Sequence, residues 1–269
     1  MTEIFEDIKK LYLFKLPCAA LAPYIEFFSE TSLTATQLHI QTEEFTVKLF
    51  PSYTPTIWIN LGSPYQLKNG RHWQLIDETI DVLVLRNEII ERKNLPLDNI
   101  FTIKFFPGGL EAIFGISQSK IGSDIINLNE LIPNPFIKKL KNLGSIEDRI
   151  SLLEDLFLAK IHSNQKTGYY LKCIQQAIDT FHLSGLELKN KEIVQKLAIS
   201  DKTMYRYFTK MVGTNPKNFM AINRARIALS AYVSNSKSFS PYIYGYYDMS
   251  HFYKDVVKFT GQKLSAQLT

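Results

Sequence analysis

The segment "GYYDMSHFYKDVVKFTG", Gly245 to Gly261, decides how the C-terminal part of this chain is read. Asp248 is placed to cap a helix, because its carboxylate can accept an orphan backbone N–H of the first turn. Phe252, Val256 and Phe259 then recur at i, i+4 and i+7 and form one buried stripe. Ser250, His251, Lys254 and Lys258 fall largely on the opposite face, and Gly261 ends the run. A catalytic reading fails on geometry. Ser250 and His251 are sequence neighbours, and neighbours do not face each other on a helix. The other four histidines are scattered, and no cysteine or second histidine stands near His251 to complete a metal-ligand set. No catalytic, cofactor-binding or metal-binding residue is assigned, and the chain is not expected to be an enzyme.

A second stretch, "LELKNKEIVQKLAISDKTMYRYFTKMVGTNPKNF" (186–219), repeats the layout. Ile193 and Leu197 face one way on a short helix, Ala198-Ile199 make a turn, and Ser200 caps a second helix. Met204, Phe208, Met211 and Val212 fall at i, i+4, i+7 and i+8. Lys202, Tyr205, Arg206, Thr209 and Lys210 are left outside, and Gly213 closes the helix. Cap and terminal glycine are 13 residues apart in both units, Ser200 to Gly213 and Asp248 to Gly261. A short helix, a turn and a second helix with a basic outer face is the layout of a helix-turn-helix, whose second helix can enter a major groove.

Here a family resemblance becomes specific. "GYYDMSHFYKDVVKFTG" resembles the second helix-turn-helix of AraC/XylS-family transcriptional regulators. "ISDKTMYRYFTKMVGTNPKNF" resembles the first, and "NRARIALS" (223–230) the helix that joins them. "LAPYIEFF" (21–28), "WINLGSPY" (58–65) and "KFFPGGLEAIFGI" (104–116) resemble the β-rich N-terminal domain of bacterial members. Two differences stand out: "SNSKSFSPYIYG" precedes the second unit, and Lys263-Leu264 replaces a Ser-Pro. The resemblance implies a sequence-specific DNA-binding regulator that inserts two recognition helices into successive major grooves of double-stranded DNA. It assigns contacts to Lys202, Thr203, Tyr205, Arg206 and Lys210 in the first unit. In the second it assigns Ser250, His251, Tyr253 and Lys254. Lys217, Arg224, Arg226 and Lys258 are expected at phosphates or in solvent. A joining helix from about Lys217 to Ser234 would be about 27 Å long, against about 34 Å for a turn of DNA.

Charge follows the same division. From Gly168 to the end there are 14 Lys+Arg against 6 Asp+Glu, and before it 17 against 20. A basic C-terminal part on a slightly acidic body suits a polyanion-binding module attached to something else. That other part reads as strands: "FTVKLF" (45–50), "PTIWINLG" (55–62), "IDVLVLR" (80–86) and "IFTIKFFPGG" (100–109), bounded by turn residues. Long helical patterns do not alternate with them, which argues against a nucleotide-binding α/β sheet. Gly108-Gly109 lacks a phosphate-loop pattern and reads as a turn. From about Asn127 the period becomes helical, with Ile150, Leu153, Leu156 and Phe157 on one face.

The fold class expected is α+β. An N-terminal antiparallel barrel- or sandwich-like domain with connecting helices (1–165) precedes an all-α domain with two helix-turn-helix units (168–269), divided at "HSNQKTG" (162–168). The first domain is expected to fold by itself and to hold any small-molecule effector, lined by residues such as Trp58 and Phe105. A homodimer contact through the connecting helices fits the same reading. No apolar run is long enough to span a bilayer, and a cytoplasmic protein with Cys18 and Cys173 as reduced thiols is expected. Pro241, four residues before Gly245, leaves room for only about one turn of supporting helix in the second unit. The first unit is therefore expected to dominate. The competing function is a small-molecule or protein-binding module whose helix-turn-helix units bind DNA only non-specifically.

Overall fold

The computed structural model describes residues 9–40, 42–70, 72–95, 97–163 and 168–264. Among the described residues, ten strands form two antiparallel sheets. The six-stranded sheet runs β1 (Tyr12–Lys15), β2 (Ile25–Thr31), β9 (Ile100–Phe105), β4 (Thr56–Asn60), β7 (Val82–Val84) and β10 (Ile126–Asn127). The four-stranded sheet runs β3 (Phe45–Leu49), β8 (Ile90–Asn94), β5 (Tyr65–Asn69) and β6 (His72–Ile76).

The central strands β4 and β9 are buried along their whole length. Strand alternation sorts their side chains into two layers. Ile57, Ile59, Phe101, Ile103 and Phe105 point to one core cluster, where Leu153 and Phe157 of a helix cover the sheet. Trp58 and Ile100 point the other way, to a second cluster between the sheets with Val47, Leu49, Leu67 and Ile90. Phe105 therefore lies on the helix-covered face, its ring 6.1 Å from that of Phe157.

Helices α1 (Leu33–His39), α2 (Gly109–Phe114), α3 (Asn134–Lys141) and α4 (Ile146–Ser163) belong to this half. Gly108-Gly109 begins α2 and is not an isolated turn. A side chain on Gly109 would run into the Tyr24 carbonyl. The C-terminal half is helical: α5 (Gly168–Leu183), α6 (Asn190–Lys196), α7 (Asp201–Met211), α8 (Pro216–Ser234), a four-residue 3-10 turn (Pro241–Tyr244) and α9 (Met249–Thr260). The division expected at 162–168 lies largely outside the described residues. Among the described residues no helix is long and apolar enough to cross a membrane, and no cluster of metal-ligating side chains occurs.

Asp98, before β9, is almost fully buried and accepts a hydrogen bond from the Leu95 backbone N–H at 2.7 Å. Burial pushes its carboxyl up from 3.8 to about 6, against the opposing pulls of that N–H and of Arg92. Between those values the folded chain holds a proton that the unfolded chain has released. The stability that Asp98 contributes is thus fully present below 3.8 and is lost as pH rises through about 6. Urea unfolding across this window should show stability falling with pH in the wild type and a flatter profile in Asp98→Asn. Parallel profiles would contradict the assignment.

Candidate nucleic-acid interface

Helices α7 and α9 are built as their sequences dictate. Ser200 Oγ accepts from the Thr203 N–H at 3.1 Å, and Asp248 Oδ1 from the His251 N–H at 2.7 Å. Met204, Phe208, Met211 and Val212 are buried on α7, as are Phe252, Val256 and Phe259 on α9. Gly213 and Gly261 stand at the two helix ends.

The outward faces carry the candidate contacts. Lys202, Tyr205, Arg206 and Lys210 are exposed on α7, and Thr203 is half-buried beside its cap. Ser250, His251, Tyr253 and Lys254 are exposed on α9. Lys210 differs from the rest. Its ammonium lies 3.5 Å from Glu111 Oε1 of α2, in the β-rich half, and 5.6 Å from the Tyr170 ring of α5. Burial raises the Glu111 carboxyl, and the Lys210 charge opposes that rise. Ser117 Oγ also donates to the Lys210 carbonyl, and Gln118 Nε2 to the Val212 carbonyl at 3.0 Å. The C-terminal end of α7 is thus docked on the β-rich half, and its N-terminal end projects.

One helix serves both units. The first part of α8 gives Phe219 and Met220 to the core of the first unit. Its later residues Ile222, Ala225, Ala228 and Leu229 join the core of the second. Arg224 corrects the expectation of a solvated or phosphate-facing cation. Its Nε and Nη2 both donate to the Leu186 carbonyl, at 3.1 and 2.8 Å. Its guanidinium lies 5.6 Å from the Phe181 and Tyr246 rings, one in each unit. Gly245 packs on the same carbonyl, where a Cβ would come within 2.5 Å of it. The Leu186 carbonyl is the joint between the two units.

The supporting helix of the second unit is the single 3-10 turn after Ser240 that its proline predicts. Aromatic packing compensates for its shortness. Phe239 stacks on Tyr244 with ring centroids 5.4 Å apart and contacts Phe252 at 4.8 Å. Leu264, in place of the expected proline, is buried in the same cluster with Phe50 of the β-rich half. Tyr246 is buried and Tyr247 exposed, so only one of the paired tyrosines packs the turn.

A cavity of about 990 Å3 opens between the two sheets and the inner sides of α5 and α8. Trp58 lines it, as expected; Phe105 does not. It is not confined to the N-terminal half, because Ile178 of α5 and Phe219, Ile222 and Arg226 of α8 form one wall. The loop between β7 and β8 links this region to both units. Arg86 faces the cavity and donates to the Phe50 carbonyl at 2.7 Å. Leu85 abuts Gly213, and Ile89 abuts Gly261.

No protein-family model and no curated protein matches this chain. Similar solved structures include ToxT from Vibrio cholerae in a P21 crystal form. It is 12% identical with a TM-score of 0.45, over 84% of this chain and 97% of that one. ToxT bound to (E)-4-(8-methylnaphthalen-1-yl)but-3-enoic acid is 13% identical with a TM-score of 0.45, over 85% and 100%. The AraC-like transcriptional activator CuxR is 16% identical with a TM-score of 0.30, over 84% and 88%.

The joint makes a direct prediction. Gly245 has φ of 69° and no room for a methyl group. Gly245→Ala should destabilise the chain by about 2–4 kcal/mol in urea unfolding. Arg224→Met, which removes both donors from a half-buried carbonyl, should cost about 1–3 kcal/mol. A Gly245→Ala variant as stable as the wild type would contradict the joint. The two stretches whose motifs resemble AraC/XylS-family regulators lie in two capped units that follow a β-rich half.

Proposed function

We propose that the chain is a sequence-specific DNA-binding transcriptional regulator that places α7 and α9 in two successive major grooves. One observation carries this reading. Two capped helices of 11 and 12 residues present polar and basic outer faces, and a single helix, α8, contributes to the cores of both units. At 1.5 Å per residue the 19 residues of α8 span about 28 Å, close to the turn of B-DNA that separates successive major grooves on one face.

Within α7 the reading assigns base contacts to Lys202, Tyr205 and Arg206, with Thr203 at the capped end. The Arg206 guanidinium suits guanine O6 and N7, which it can meet with two parallel hydrogen bonds. Lys210, drawn to Glu111, is assigned to docking of the helix. Within α9 the reading assigns Ser250, His251, Tyr253 and Lys254. These side chains offer hydroxyl, imidazole and ammonium groups but no bidentate fork, so the first unit is the stronger discriminator. The cavity is assigned to a small-molecule effector, since α8 both lines it and carries the spacing of the two units.

Bound sites selected from a random duplex pool provide the test. Arg206→Ala should weaken binding to the selected site by about 1–3 kcal/mol and relax preference at one base pair. Lys202→Ala with Arg206→Ala should lower specific affinity far more than Ser250→Ala with Lys254→Ala. Salt-dependent binding to all duplexes with no selected site would support non-specific binding instead. Equal losses from the two double variants would contradict the ranking of the units.

A further inference from the structure

We propose that the second unit selects thymine, through contact of Met249 and Tyr253 with the 5-methyl groups exposed in the major groove. The proposal rests on the placement of α9 in a major groove under the proposed function, and names what that helix recognises there.

Large apolar side chains on a protein surface are ordinarily scattered singly. Here they gather. Tyr242, Ile243, Tyr247, Met249 and Tyr253 are all exposed, and all fall between positions 242 and 253, around the start of α9. Met249, at 42% exposure, and Tyr253, at 39%, belong to α9 itself. They are four residues apart, so they lie one above the other on the same side of the helix.

The two helices can be compared position by position from their caps. Met204, Phe208 and Met211 of α7 and Phe252, Val256 and Phe259 of α9 hold the same buried places after Ser200 and Asp248. Tyr205 of α7 stands where Tyr253 stands on α9, and both are exposed. Lys202 and Arg206 correspond to Ser250 and Lys254. The first helical position breaks the pattern. Asp201 occupies it in α7, where the positive end of the helix dipole favours an acid. Met249 occupies it in α9, whose first turn has no acid beyond the cap. Met249 gains neither from the dipole nor from burial in the free protein.

A helix in a major groove meets base edges with the residues of its N-terminal turns. Thymine alone of the four bases presents a methyl group there. The other edges present donors and acceptors, which an apolar side chain would strip of water without replacing. The unbranched, polarizable Met249 side chain adapts its shape to a methyl group. The Tyr253 ring offers an apolar body and leaves its hydroxyl for a phosphate. Ser250 and Lys254 alternate with these two and suit phosphates and base edges beside the methyl groups. An apolar protein surface docked on the same turns would bury the Lys254 ammonium without a partner.

The test uses the full chain and the site it selects from a random duplex pool. The half read by α9 is the one whose protection weakens in Ser250→Ala with Lys254→Ala. Replacing a thymine there by deoxyuridine removes the 5-methyl group and keeps the hydrogen-bonding edge of the base. At the positions these side chains read, the replacement should weaken binding about fourfold, the worth of one buried methyl group. Met249→Ala should weaken binding to the thymine site by a similar factor. On the matching deoxyuridine site, wild type and Met249→Ala should bind alike. Tyr253→Phe should keep methyl sensitivity at its own position, and Tyr253→Ala should lose it. Both side chains are exposed, so neither variant threatens the fold. A second half without thymine, thymines whose methyl groups are dispensable, or methyl sensitivity unchanged in both alanine variants would overturn the proposal and leave the DNA-binding reading standing. The absence of any selected site would overturn both.

Discussion

The arrangement of the C-terminal half depends on one backbone carbonyl. Leu186, at φ of 67° after the first helix of that half, turns its C=O toward α8. There it receives the forked guanidinium of Arg224 and the close approach of Gly245. A lysine could not replace Arg224, because a single ammonium lacks the fork and the flat faces that lie near Phe181 and Tyr246. Gly245 cannot gain a side chain without moving the second unit away from the first. The constraint sets the second unit against the first more firmly than its own one-turn support does. The Phe239, Tyr244 and Phe252 rings finish that work.

The same packing connects the cavity to α7 and α9. Arg86 turns its guanidinium into the cavity, and its carbonyl accepts the Ser52 and Tyr53 N–H groups. One residue before it, Leu85 abuts the end of α7; three residues after it, Ile89 abuts the end of α9. On the other side, α8 is at once a cavity wall and the helix whose residues lie in the cores of both units. A ligand bound there contacts the elements that set the spacing of α7 and α9. Under the proposed function, this is where occupancy biases DNA binding, and the bias is limited to the ligand's difference in affinity between the two arrangements.

Much of the architecture was legible because local signals and tertiary packing agree. The caps Ser200 and Asp248, the apolar stripes and the terminal glycines are where the periodicity puts them. Strands β3, β4, β7 and β9 declared themselves through β-branched and aromatic runs. Strands β5 and β6 did not, although Asn69-Gly70 between alternating segments is a hairpin signal, and the structure pairs Asn69 with His72. Their alternation is weak because β6 is an edge strand with Trp73 and Leu75 exposed. Helix α2 was hidden because Gly108 and Gly109 answer to distant contacts with Leu171, Met211 and Tyr24. Arg224 was misjudged for a related reason. Its sequence neighbours give no hint of Leu186, 38 positions away.

The central claim is that the joint holds two DNA-reading units at one spacing. Spacing variants of the selected site test it most directly. Inserting about five base pairs, half a helical turn, between the two protected halves puts them on opposite faces of the duplex. Inserting about ten restores the face and adds about 34 Å that a locked pair of units cannot bridge. The account predicts that both insertions reduce affinity to that of the stronger half alone. Full affinity on the ten-base-pair insertion would show that the units separate freely, and would contradict it.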